Sequence, residues 1–255
     1  MTDYDGLAFY YDIEWDELKE DIPFLLDQAN KTDGHVLELA CGSGRIMIPF
    51  AREGREIWGF DNSTEMLKLF DMNLEREDPK VKDIVHYSEQ DMVDFKYDEM
   101  FGMIIVPFNS FLLMTDRTDL DKCLQNCREH LSDDGTFIVD VFSPNFELCA
   151  AKEPKMNFLK HFYHPMSNKV VVQWEYAKRD MGNQIIEIDF LYEEYDNAGN
   201  LARKTQNLKM SLMFRYELQY LLEKNGFKIM EFYGNYDRSP FTADSPQMIY
   251  ICKKM

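Results

Sequence analysis

The sequence predicts an α/β fold: a doubly wound, mostly parallel sheet of seven strands, with an antiparallel β insertion after the fifth strand. Three observations predict it. Five short apolar runs alternate with helical patterns between residues 35 and 142. Short strands that are apolar on both faces belong to buried parallel sheets, whereas half-solvated strands alternate. From Ser143 to about Met213 the alternation stops and amphipathic, β-branched and aromatic runs take over. A helix and two further strand-like runs then close the chain. The expected division is a core at 1–142 and 213–255, with an insertion at 143–212 covering a substrate pocket.

Each element has its own signal. Leu18, Ile22, Leu25, Leu26 and Ala29 recur at helical spacing, so residues 4–30 read as one amphipathic helix closed by Asn30 to Gly34. "HVLELA" is the first strand, and a helix runs from Arg45 to Glu53 and ends at Gly54. "EIWGF" is the second strand, and Ser63 is placed to cap a helix from Thr64 to about Leu74. "DIVHYSEQD" and "GMIIVPF" are the third and fourth strands. Asp116 to Leu131 is a helix with Leu120, Leu124, Cys127 and Leu131 on one face. Gly135 turns the chain into the fifth strand, "TFIVDVF". In the insertion, "KVVVQWEYAKRD", "NQIIEIDFLYEEYD" and "RKTQNLKMSLMFR" are separated by the turns "DMGN" and "DNAGN". A helix at Arg215 to Lys224 stops at Asn225–Gly226, before "FKIMEFYG" and "QMIYICKK".

Composition narrows the function. The 255 residues carry a formal charge of −18, which repels nucleic acid and anionic membrane surfaces and favours a neutral or cationic small-molecule partner. No apolar run reaches the length of a membrane span, and the N-terminal residues lack the pattern of a signal peptide. The five scattered cysteines suggest a reducing, cytoplasmic setting. Cys123 and Cys127 share a helix face, but no further ligands complete a metal set, so they read as buried thiols and no metal is expected.

The chemistry sits in "HVLELACGSGRIMIPFAREGREIWGFDNSTEML". A strand feeds a turn in which Gly42 and Gly44 allow a ligand to approach the backbone, and the next helix begins with unpaired N–H groups. Asp61 ends the second strand, beside that turn in a doubly wound sheet, where a carboxylate accepts hydrogen bonds from ribose hydroxyls. Met47 stands where a dinucleotide fingerprint has its third small residue, which disfavours a pyrophosphate and leaves a nucleoside.

These stretches resemble the motifs of class I S-adenosylmethionine-dependent methyltransferases, a Rossmann-like fold. "VLELACGSGR" is similar to that family's first motif, "WGFDNSTEML" to its second and "YSEQDMVDF" to its third. "GMIIVPFNSFLLM" and "LSDDGTFIVDVFSPN" are similar to its fourth and fifth strand regions. The resemblance implies S-adenosyl-L-methionine as cofactor. It implies that Ala40, Gly42 and Gly44 lie along the methionine portion and that Arg45 meets its carboxylate. It places Asp61 on the ribose, Asn62 beside the adenine, Asp91 and Met92 on the base, and Val106 and Pro107 beneath the sulfonium. "AFYYDIEW" is similar to a Y-Y-D element of small-molecule members, making Tyr10 or Tyr11 a lid over the methionine end.

The substrate is less defined. The loop "PFNSF" lacks the N-P-P-Y element of nucleobase methyltransferases. The antiparallel insertion and the late "FRYELQYLLEKNGF" stretch are similar to small-molecule N-methyltransferases of natural-product pathways. That resemblance implies a pocket walled by Trp174, Tyr176, Phe190 and Tyr192, and completed by Phe108, Asn109, Phe111, Tyr216 and Tyr236. Asn109, Tyr11 and His164 are the candidate catalytic residues, with His161 beside them. Methylation of an amine is the leading expectation. Methylation of a hydroxylated metabolite, and a non-catalytic cofactor-binding subunit, remain alternatives.

Overall fold

A computed structural model describes residues 8–15, 18–150 and 154–255, without the side chains of residues 146 and 147. The N-terminal segment forms two helices, α1 (Ala8–Trp15) and α2 (Asp21–Ala29), where the periodicity predicts one across residues 4–30. Residues 4–7, 16 and 17 of that expectation lie outside the described residues. Pro23 is at the third position of α2, where its missing N–H costs no intrahelical bond.

The core then alternates β1 (Val36–Leu39), α3 (Met47–Arg52), β2 (Ile57–Asp61), α4 (Thr64–Leu74), α5 (Pro79–Lys82), β3 (Val85–Glu89), β4 (Phe101–Val106), α6 (Arg117–His130) and β5 (Leu131–Phe142). Helix α3 begins two residues later than expected, because residues 42–46 form the turn itself. The Ser63 hydroxyl caps α4 by accepting from Met66 N at 3.2 Å, and Asp116 caps α6 by accepting from Thr118 N at 2.7 Å. After α7 (Phe146–Ala150) come four strands, β6 (Met156–His164), β7 (Lys169–Asp180), β8 (Ile185–Tyr195) and β9 (Leu201–Ser211). Helix α8 (Arg215–Lys224), β10 (Phe227–Tyr233) and β11 (Gln247–Lys254) complete the chain.

Strands order as β10-β11-β5-β4-β1-β2-β3 in one sheet of seven. The strands β1 to β5 pair in parallel, and β11 enters antiparallel between β5 and β10. The sheet is Rossmann-like, as the alternation predicts. β1 and β4 are buried at every position, which is why they read as apolar runs, broken in β1 only by the buried Glu38. The insertion is a separate antiparallel sheet in the order β6-β7-β8-β9. It has one strand more than its turn signals suggest. β6 is an edge strand with an irregular register against β7, and "MNFLKHFYH" does not alternate cleanly enough to be read in advance. The strand order reverses beside β1, with β2 on one side and β4 on the other, which is where open α/β sheets hold their ligands.

Candidate functional site

The turn after β1 is built from left-handed backbone. Ala40, Gly42 and Gly44 have φ values of 54°, 56° and 82°. Such angles are cheap for glycine and strained for alanine, and strained backbone collects at functional sites. Asp61, at the end of the neighbouring β2, fixes this turn: its carboxylate accepts from Gly42 N at 2.9 Å and from Ser63 N at 2.8 Å. The acid at 61 and the bend at 42 therefore touch.

A cavity of about 370 Å³ opens at this point. Tyr11, Ala40, Gly42 and Asp61 line one part of it, and Asn62, Asp91 and Met92 another. The Asn62 amide donates to Asp91 Oδ2 at 3.2 Å, and Val93 N donates to Asp91 Oδ1 at 2.9 Å, so the two acids stand at neighbouring strand ends. The far wall is the segment after β4, with Phe108, Ser110, Leu113 and Met114, followed by Asp116 and Asp119 at the start of α6. Burial beside Glu38 and Asp61 pushes the Tyr11 hydroxyl up to about 12 against the opposing effect of Arg45, so Tyr11 acts as a hydrogen-bonding group and not as a base near neutral pH.

Three expected cofactor residues lie elsewhere. Gly44 is outside the cavity: a Cβ there would sit 2.3 Å from the Phe70 ring, so α4 packing requires this glycine. Arg45 lines a different groove and pairs its guanidinium with buried Asp21 at 2.6 and 3.0 Å. It also lies 5.1 Å over the Phe108 ring. Val106 is wholly enclosed by the sheet, and it is Phe108, two residues on, that reaches the cavity.

The catalytic candidates divide similarly. Asn109 spends its side chain on β5: its Oδ1 accepts from Phe142 N at 2.5 Å. His164 is buried, with Nε2 2.9 Å from the Phe9 carbonyl and Nδ1 accepting from Ser167 N at 3.3 Å. With both ring nitrogens engaged it has no lone pair for a substrate proton. His161 is exposed on β6. Tyr11 alone of the three catalytic candidates lines the cavity. The aromatic wall also differs from expectation. Tyr192 stacks on Tyr10 at 4.0 Å, Tyr216 is exposed on α8, and Trp174, Tyr176 and Phe190 are half-buried without reaching the cavity. Phe111 is buried in the core, and Tyr236 is buried with its hydroxyl donating to Asp140.

Asp140 is the residue that sequence reading missed. It lies in the buried part of β5, and its Oδ1 accepts from Phe108 N at 3.0 Å and from Tyr236 OH at 2.9 Å. Its backbone carbonyl accepts from Asn109 N at 3.2 Å. These contacts hold Phe108 and Asn109 in consecutive left-handed conformations, at φ 51° and 66°. Burial pushes the Asp140 carboxyl up to about 7, with the Tyr236 hydroxyl acting against it and Asp21 acting with it. Nothing in "TFIVDVF" marks its fifth letter as more than a strand residue; only the polar type inside an apolar run was a signal. Among the described residues, no group of three His, Cys, Asp or Glu side chains is placed to hold a metal, and Cys123 and Cys127 are buried free thiols. No described helix is long and apolar enough to cross a membrane.

Comparison with known proteins agrees with this geometry. A family described as "Methyltransferase domain" matches residues 36–135. YqeM of Bacillus subtilis (strain 168) is 28% identical over 148 residues, covering 55% of this chain and 56% of that protein. The match therefore spans little more than half of that relative. The cypemycin N-terminal methyltransferase of a Streptomyces species is 22% identical over 221 residues, covering 86% of this chain and 82% of the relative. Among solved structures, the CcbJ methyltransferase of Streptomyces caelestis superposes with a TM-score of 0.82 at 18% identity, covering 100% of this chain and 98% of the other. S-adenosylmethionine-bound CalS10, an amino pentose methyltransferase of Micromonospora echinaspora, superposes with a TM-score of 0.73 at 13% identity, covering 97% and 96%.

Proposed function

We propose that this chain is a class I S-adenosylmethionine-dependent methyltransferase that transfers methyl from S-adenosylmethionine to the amine nitrogen of a small molecule, a reading supported by its methyltransferase domain at 36–135 and by its sheet. The observation that carries the cofactor reading is the contact between Asp61 and the Gly42 turn inside a cavity that ends at Asp91 and Met92. The chemistry of that lining fits the cofactor. A carboxylate at the strand end suits ribose hydroxyls, an apolar Met92 beside Asp91 suits a purine with an exocyclic amine, and bare backbone at Ala40 and Gly42 leaves room for a chain.

On this reading Asp61 holds the ribose, and Asn62, Asp91 and Met92 hold the adenine. Ala40 and Gly42 border the methionine portion, and Tyr11 closes over it. Bound S-adenosylmethionine supplies a methyl group that is already electrophilic on a sulfonium. The residues here supply position: Tyr11, Phe108 and Ser110 enclose the space in which a nucleophile must stand in line, about 3 Å from its target. The nitrogen lone pair forms the new C–N bond, the C–S pair stays on sulfur, and the proton of the methylated ammonium passes to water. The net charge of −18 favours an acceptor that carries an amine. The cypemycin relative is named for an N-terminal methyl transfer and CalS10 for an amino pentose, which supports nitrogen over oxygen. The insertion, residues 143–212, would cover the acceptor.

The test is transfer of labelled methyl from S-adenosylmethionine to paired libraries of amines and alcohols, with products identified by mass. Label on nitrogen is the expected result. Label on oxygen alone would replace this reading with O-methylation, and tight cofactor binding without any turnover would indicate a non-catalytic subunit.

A further inference from the structure

Helix α1 lies across the insertion sheet, and a row of directly paired residues crosses all four strands: Lys160 on β6, Gln173 on β7, Tyr192 on β8 and Lys204 on β9. Residues opposed in this way share one face of a sheet. α1 meets that face through Tyr10, stacked on Tyr192, and through Glu14 one turn later. The two lysines at the ends are committed. Lys204 pairs with Glu194 at 2.9 Å and lies 4.4 Å over the Phe9 ring. Lys160 donates to the Glu14 carbonyl at 2.5 Å and lies 5.0 Å over the Trp15 ring.

The middle of the row is not so well satisfied. Gln173 donates through Nε2 to the Tyr192 hydroxyl at 3.2 Å. Glu14 Oε1 and Gln173 Oε1 have no hydrogen-bond partner, although the two residues are only 8% and 3% exposed. A buried acceptor left without a donor is costly, and native interiors rarely tolerate two together. Two idle acceptor oxygens beside a phenol hydroxyl suit a single group that carries several N–H donors. Burial pushes the Glu14 carboxyl up to about 7 while a hydrogen bond with Tyr192, the charge of Lys160 and a hydrogen bond with Gln173 hold it down, so it can take the proton of an arriving ammonium and leave the nitrogen lone pair that methyl transfer uses.

The place adjoins the cofactor cavity. Tyr11, one helical turn before Glu14, lines that cavity, and residues spaced so on a helix have Cβ atoms about 5–6 Å apart. Trp15, the residue after Glu14, packs edge-on at 4.8 Å against Phe108, which lines the opposite wall. We propose that Glu14, Gln173 and Tyr192 form the recognition site for the amino group of the methyl acceptor, at the seam between α1 and the insertion. The inference rests on the N-methyltransferase reading and names the part of the chain that selects an amine.

The test uses the full chain saturated with S-adenosylhomocysteine and carrying glutamate labelled at the carboxyl carbon. Ethylammonium and benzylammonium are titrated against ethanol and benzyl alcohol, with the Glu14 resonance assigned by its loss in E14Q. The ammonium probes are expected to move that resonance and the alcohols to leave it in place. E14Q should weaken binding of the ammonium probes about tenfold, with Y192F weakening it less and S-adenosylhomocysteine binding the same in all three proteins. Y192F keeps the ring and its stacking, so it serves if E14Q does not fold. The inference is overturned if no ammonium probe moves the resonance, if the alcohols move it equally, or if both variants bind the amines as the native chain does. Ammonium binding at Glu14 with no methyl transfer to any amine would leave the site standing and remove the N-methylation reading.

Discussion

Asp61 and Glu14 are both buried carboxylates near one cavity, and they are held in opposite ways. Asp61 has each oxygen on a backbone N–H, from Gly42 and Ser63, within residues 36–63, which fold as one strand–turn–helix–strand unit. Glu14 sits on a short helix and faces side chains from strands far along the chain, with one oxygen idle. The first arrangement is set by the main chain and suits a ligand that never changes. The second is set by side chains on two packed surfaces and suits a ligand that differs between enzymes sharing the sheet.

The comparison breaks most sharply at Asp61. Asp61→Ala removes the proposed acceptor for the ribose hydroxyls and also two hydrogen bonds that hold the turn before any ligand arrives. Affinity for S-adenosylhomocysteine, measured by calorimetry, is expected to fall by on the order of 100-fold or more, with a lower Tm of the free protein. Undiminished affinity would remove Asp61 from the cofactor site. The side-chain region should respond differently, because its strength lies in charge. Glu194 lies beneath α1, accepting from Tyr10 OH and Lys169 at 2.6 Å each and pairing with Lys204 at 2.9 Å. Burial alone would raise its carboxyl, but Lys169, Tyr10 and Lys204 outweigh that and hold it at about 2.

A depressed carboxyl contributes stability that is present above its unfolded pKa of about 4.5 and lost as pH falls toward 2. Glu194→Gln should therefore lower stability by about 2 kcal/mol at pH 7 and flatten the acid limb between roughly pH 4.5 and 2. Urea unfolding at a series of pH values measures both. An unchanged acid limb would mean that α1 is not tied to the insertion by this charge cluster.

The two regions were also unequally legible. The turn could be read from "ACGSGR" and the strand-end Asp61 because their geometry is local: small residues permit left-handed backbone, and a parallel register sets the acid beside them. Asn62, Asp91 and Met92 came from the resemblance to the methyltransferase motifs, and they line the cavity. Gly44 and Arg45 belong to the same turn, but their surroundings are long-range: Phe70 from α4 fills the space beside Gly44, and Asp21 from α2 takes the Arg45 guanidinium. Sequence spacing reports neither. For the insertion, period-two patterning found β7, β8 and β9, while the irregular edge strand β6 escaped it. The resemblance named Tyr192 as a pocket wall, and nothing in the sequence showed that Tyr10 would cover it. Glu14, one of several acids in "YDIEWDELKE", and Asp140, a lone acid in an apolar run, went unseen because each gains meaning only from what is packed around it.

Asp140 joins the two regions, and the smallest expected effect tests that role. Its carboxyl holds Phe108 N, and the Phe108 ring lies between the Arg45 guanidinium, which Asp21 holds, and Trp15 on α1. Without that carboxyl, Phe108 and Asn109 have less reason to remain left-handed, a conformation that costs of order 1 kcal/mol or more per residue. Asp140→Ala should weaken S-adenosylhomocysteine about tenfold by letting the loop relax across the cavity. Asp140→Asn keeps an oxygen for Phe108 N and Tyr236 OH, so it should bind nearly as the native chain does. The pH dependence separates these variants further. An acid raised by burial to about 7 contributes stability that is complete below its unfolded pKa of about 3.8 and is lost as pH rises through 7. The amide of Asp140→Asn imitates the protonated acid and does not titrate, so this variant should match native stability near pH 4 and exceed it near pH 8. Equal losses of affinity in the alanine and asparagine variants would show that the charge of Asp140, and not its hold on the loop, shapes the cavity.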